Sequence, residues 1–97
     1  MAVPTFDAFT AAARSDGYDE VVERAWPPGT VLATHTHPFA LRAIVTAGTM
    51  WLTVGDDTRE LRPGDAFALD AGAPHAERYG SEGATTWVAR RHPPPGG

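Results

Sequence analysis

The chain has 97 residues, a net charge of −4 and no cysteine. Its length fits one small domain, near the lower end of what folds alone. The missing cysteines exclude disulfides, thiolate metal sites and a cysteine nucleophile. All eight basic residues are arginine, scattered apart from Arg90-Arg91, so no nucleic-acid partner is expected.

In chain order, Thr5 or Asp7 is placed to cap a helix running to about Ser15, with Gly17 as its stop. Phe6, Phe9 and Ala13 share one stripe of that helix and would pack on the body of the domain. The pattern then shortens. Strands are expected over Glu20 to Trp26, Val31 to His37, Leu41 to Ala47, Thr49 to Val54, Thr58 to Arg62, Ala66 to Leu69, His75 to Tyr79 and Thr85 to Arg91. Pro27-Pro28-Gly29, Pro38, Gly48, Gly55-Asp56-Asp57 and Pro63-Gly64-Asp65 separate them. Roughly eight short strands with Gly/Pro turns predict an all-β barrel or sandwich behind a short N-terminal helix. The expected division is a helical segment (1–18), a barrel (19–91) and a loose tail (92–97) in a single domain. No apolar run approaches the ~20 residues of a membrane span, so no membrane partner is expected. Met1-Ala2-Val3-Pro4-Thr5 lacks the basic and apolar regions of a secretory signal, and a cytoplasmic location is expected.

The residues that carry chemistry are His35, His37 and His75. Alternate side chains of a strand share a face, so His-x-His aims two imidazoles the same way. His75, on another strand, is the well-placed third ligand. Three neutral imidazoles hold a divalent ion and leave a position open, as catalytic rather than structural sites do. Iron, manganese, nickel, copper and zinc all accept imidazole, so the pattern does not choose among them. His92, in the Pro/Gly tail, is not expected to join them.

These residues resemble the motifs of the cupin family. Gly29, then His35-Thr36-His37-Pro38, then Gly48 follow the spacing of the first cupin motif. Leu61-Arg62-Pro63-Gly64-Asp65, Gly72 and Pro74-His75 follow the second, with Asp70 in the place of its proline. The resemblance covers about residues 20 to 91 and implies a small jelly-roll barrel whose mouth holds a divalent metal. Two departures stand out. The family's metal-binding glutamate falls at Leu41, with Arg42 beside it, and the asparagine that often ends the second motif is Tyr79. The implied site is therefore three histidines without the usual carboxylate, as in the cysteine-dioxygenase branch.

Strand parity bears on the missing carboxylate. His75, Glu77 and Tyr79 alternate, so an unbroken strand puts all three on one face. Glu77 would then be a weak fourth ligand or the acid/base group, and Tyr79 a proton donor to a bound substrate. The alternative is a bulged strand, with Glu77 in solvent or paired with Arg78 or Arg42, and Tyr79 in packing. Phe39, Leu41, Arg42 and Met50 are the candidate pocket residues, with Arg42 either guiding a carboxylate or solvated at the rim. The expected cavity is small and mainly apolar.

Three function classes follow. The first is a metal-dependent oxygenase, isomerase or lyase acting on a small organic molecule. The second is a ligand-sensing module, resembling the sensor domains of arabinose-type regulators but with no helix-turn-helix of its own. The third is a storage or structural cupin. The resemblance, together with Trp26, Trp51 and Trp87 in so short a chain, favours a homodimer.

Overall fold

Thr5 starts the N-terminal helix by accepting a hydrogen bond from the Ala8 amide at 3.0 Å, in a computed structural model that describes residues 3–93. This helix, α1 (Phe6–Ser15), has Asp7 in its first turn and Arg14 in its last, which suits the helix dipole. It ends as expected, with Gly17 at φ +92° and the Tyr18 amide returning to the Ala13 carbonyl. Phe9 and Ala13 are buried, whereas Phe6 stays 38% exposed and meets Trp87 edge-on at 5.3 Å.

Six strands follow: β1 (Glu20–Trp26), β2 (Val31–His35), β3 (Ala40–Val54), β4 (Asp57–Leu61), β5 (Ala66–Leu69) and β6 (His75–Arg91). The eight expected segments are present, but four of them are fused in pairs into β3 and β6. Every pairing is antiparallel. The first half of β3 lies between β5 and the second half of β6, whose far side pairs with β1. The second half of β3 lies between β4 and the first half of β6, whose far side pairs with β2. The two long strands thus run through both halves of a jelly-roll barrel.

Bulges make this possible. Val45 pairs with Thr86 but Ala47 with Thr85, so β3 carries one extra residue there. Gly48 then pairs with Ala84 and Met50 with Tyr79, so β6 advances five residues while β3 advances two. Each surplus is odd, and an odd surplus moves the inward-facing set to the other parity. On β3 the inward residues change from Leu41, Ala43 and Val45 to Met50 and Leu52; on β6 they change from His75, Glu77 and Tyr79 to Ala84, Thr86 and Val88.

The chain crosses itself closely at the bends. A Cβ on Gly48 would fall onto the Gly83 carbonyl, and one on Gly83 onto the Trp26 carbonyl. Both glycines have positive φ, +74° and +73°, so both bends need a residue without a side chain.

Two apolar clusters result. Val45, Met50, Leu52, Leu61, Tyr79 and Ala84 fill one end of the barrel. Phe9 and Ala13 of α1 cover Ile44 and Ala89 on the outside of the first half. Among the described residues no helix is long and apolar enough to cross a membrane. Most of the expected loose tail lies outside the described residues, but His92 is held there by its backbone amide, which donates to Asp19 at 3.0 Å.

Candidate metal centre

The antiparallel register sets His35, the last residue of β2, opposite His75, the first residue of β6. Directly opposed side chains start about 4.5–5.5 Å apart, and these two rings lie 4.4 Å apart. β2 ends two residues before the expected limit, so His37 sits in the loop beyond it. That loop is anchored by the Gly72 amide, which donates to the His37 carbonyl at 2.8 Å. His37 lies 4.8 Å from His35 and 5.2 Å from His75, ring to ring. One nitrogen from each histidine falls within 4.8 Å of the others.

The tautomers follow from the backbone. His35 Nδ1 is 2.8 Å from the Ala33 carbonyl and His75 Nδ1 is 2.9 Å from the Ala73 carbonyl. A carbonyl only accepts, so Nδ1 carries the proton in each and Nε2 presents a lone pair. Glu77 Oε2 lies 3.3 Å from His35 Nε2 and 3.7 Å from His75 Nε2. Its other oxygen accepts from the Tyr79 hydroxyl at 2.6 Å. Electron-rich atoms therefore face each other in a partly closed space, where His75 is 4%, Glu77 12% and His35 29% exposed. Such a convergence needs a cation or protons between the atoms. The donor set and its backbone-fixed tautomers fit a divalent ion.

The surroundings favour the ligand forms. The His37 pKa is lowered below the ordinary imidazole value, chiefly by burial and then by the repulsion that His35 and His75 exert on it when they are protonated. Its ring stacks on Phe39 at 4.8 Å. The Tyr79 phenol is pushed far above its ordinary range, first by burial and then by the hydrogen bond to Glu77. It keeps its proton and donates it to that carboxylate.

The histidines open on a cavity of about 190 Å³. That is below the ~300–1,000 Å³ of sites for drug-sized ligands, and it suits a small molecule. Phe39 and Leu41 line it. Arg42 and Met50 are corrections to the expected pocket, because neither is in its wall. Arg42 has the opposite parity to Leu41, so it points to the helix side, where it pairs with Asp16 at 2.7 Å and lies over the Tyr18 ring. Met50 is fully buried in the core cluster. Sequence reasoning missed Arg24, Leu32, Phe67 and Arg90 as wall residues. Trp26, noted only for its size, also lines the cavity and stacks on Tyr79 at 4.8 Å. A signal for Arg24 was present: it shares strand parity with Trp26, but nothing local shows which parity of an edge strand faces inward. His92 is not among the clustered histidines; its Nδ1 lies 3.2 Å from Asp19.

Fold and site together define a small jelly-roll barrel with a histidine cluster at one end of its cavity. Residues 22–89 match the cupin domain family, and the chain belongs to that family. No curated protein matches the sequence significantly. Among solved structures, the chain is similar to one described under the DMSP lyases RdDddP and RnDddQII, at 26% identity and TM-score 0.70, covering 79% of this chain and 40% of that one. It is similar to the DMSP lyase DddQ from Ruegeria pomeroyi DSS-3, at 28% identity and TM-score 0.65, covering 79% and 39%. It also shares the fold of KdgF from Halomonas sp., at 20% identity and TM-score 0.64, covering 75% and 68%. The chain thus spans about two fifths of the length of the two lyase chains.

Proposed function

We propose that this cupin is a small metal-dependent enzyme of lyase or isomerase type that moves a proton on a small organic molecule. His35, His37 and His75 would hold one divalent ion, which when bound supplies a Lewis acid beside the substrate. The observation that carries the reading is the Glu77–Tyr79 pair. Tyr79 occupies one carboxylate oxygen at 2.6 Å, and the other faces the histidine cluster at 3.3 Å. Glu77 is therefore the acid/base group, taking a proton at Oε2 and returning it there. Tyr79 orients it and remains protonated. Apolar walls at Leu32, Leu41 and Phe67 limit water around the reacting atoms. The identity to two DMSP lyases supports elimination chemistry over oxygen chemistry. A purely sensing barrel has no need of a carboxylate fixed against its histidines.

Glu77→Gln keeps the shape and removes the charge. Zinc affinity, measured by competition with a chelator, is expected to fall about tenfold. Turnover of a lyase substrate, DMSP being the first to offer, is expected to fall at least ~100-fold. Unchanged metal affinity and unchanged turnover in this variant would reject the role of Glu77.

We further infer a homodimer. The helix covers only the outside of the first half of the barrel. On the second half Val31 is 68% exposed, and Trp51 is shielded by Arg78, whose guanidinium lies 4.1 Å over its ring. A second copy is the natural cover for such a face. Light scattering is expected to give twice the chain mass at micromolar concentration, and the monomer mass throughout would refute it.

A further inference from the structure

Charge is unbalanced around the cavity. Histidines aside, its charged wall residues are Arg24, Glu77 and Arg90. Arg90 is already neutralised by Glu20, Nη1 to Oε1 at 3.1 Å. Among the described residues the arginine ion pairs join Arg42, Arg62 and Arg90 to carboxylates, and none involves Arg24.

Arg24 also breaks the pattern of its strand. On β1, Val21 packs toward the helix and Glu23 accepts from Trp87 Nε1 at 2.9 Å, so the odd positions face outward. Arg24 is on the inward parity, opposite Thr86, which is itself in the cavity wall. Arg24 is exposed at the mouth of the cavity, so its guanidinium is solvated and open to an incoming ligand rather than committed to a carboxylate of the chain. Its guanidinium lies 4.5 Å over the Trp26 ring. A guanidinium stacked on one face keeps its in-plane N–H donors free, and that fork matches a carboxylate. Trp26 in turn stacks on Tyr79, which holds Glu77. The free cation and the acid/base carboxylate therefore stand at the two ends of one stack of side chains.

We propose that the ligand of this cavity is a small organic monocarboxylate, bound edge-on by Arg24, with its apolar body along Trp26, Leu32 and Phe67 and its reacting end at the histidines. This deepens the enzyme reading and rests on it for the reacting end, but the Arg24 contact does not depend on the metal.

The probes are butanoate and its uncharged isostere butanamide, titrated into the full chain, zinc-loaded, while the arginine Nε–H signals are followed by NMR. Zinc content is measured on the same samples. Butanoate is expected to bind at least about tenfold more tightly than butanamide and to shift the Arg24 Nε–H signal. Arg24→Gln is expected to remove that preference with zinc content unchanged, and Arg24→Lys to restore part of it. Equal affinity for the two probes would overturn the proposal. So would undiminished butanoate binding in Arg24→Gln, which places the carboxylate on the zinc instead. A shift confined to Arg90 would overturn the assignment to Arg24. Absence of zinc from the wild-type protein would reject the metal reading alone, because the Arg24-dependent preference would still be read in the same titration.

Discussion

His37→Ala is expected to strip the divalent ion from the protein and leave the barrel folded. His37 lies in the loop after β2 rather than in a strand, and its neighbour in packing is Phe39, 4.8 Å away ring to ring. Losing that stacking costs about 1 kcal/mol, a small share of the ~5–15 kcal/mol that holds a domain together. The loss at the metal is far larger. Two imidazoles remain where three converge within 4.8 Å, and removing even a partner of a metal ligand costs ~10–100-fold in affinity. A drop beyond ~100-fold is expected, read by metal analysis, beside a thermal midpoint within a few degrees of the wild type. Undiminished metal content in the variant would remove His37 from the site.

The largest effect on stability is expected from Gly48→Ala. At φ +74° an L side chain is strained, by about 1–2 kcal/mol. The added Cβ also meets the Gly83 carbonyl and lies 2.8 Å from Ala84 Cα. Both are backbone in the opposing long strand and cannot swing aside, which adds ~1–3 kcal/mol. For a chain of this size that total corresponds to a fall of roughly 10–25 °C in midpoint. Gly55→Ala is the matched control. Its φ is +60° with nothing within 4 Å of the new Cβ, so only the backbone cost remains. Equal losses in the two variants, read by calorimetry, would show that the close approach of β3 and β6 contributes nothing.

Much of this architecture is legible in the residues, because its signals are local. Thr5 and Gly17 bound the helix through capping chemistry. Glu20 and the Pro27-Pro28 step bound β1. The histidine cluster is legible from spacing, although the mechanism differs. His-x-His reads as two residues of one strand, whereas His37 reaches the cluster from a loop tied down by Gly72. The fusion of eight segments into six strands is not local. Gly48 looks like a strand break, and only the opposing strand shows it to be a bend where two backbones cross. Parity fails for the same reason. The odd surpluses in β3 and β6 reverse which residues face inward midway along each strand; Met50 faces inward, but within the core cluster with Val45, Leu52 and Leu61 rather than in the cavity wall. For Arg42 the signal is local, since alternation with Leu41 sends the two to opposite faces and Arg42 to Asp16 on the helix side. Arg24 was missed because the inward parity of β1 is set by its pairing with β6.

The measurement that bears most directly on the metal centre is the metal content of the untagged protein, reconstituted with zinc or manganese and dialysed at about pH 8 and about pH 5. Imidazoles bind as neutral ligands, so affinity is lost as pH falls and protons compete for the ring nitrogens. Burial, followed by repulsion from His35 and His75 when they are protonated, holds the His37 pKa below the ordinary value, so proton competition at that ligand begins at lower pH than for a free imidazole. About one ion per chain is expected at the higher pH, and release at the lower. A chain that retains no ion at the higher pH after reconstitution with either metal would contradict the assignment of His35, His37 and His75 as a metal centre.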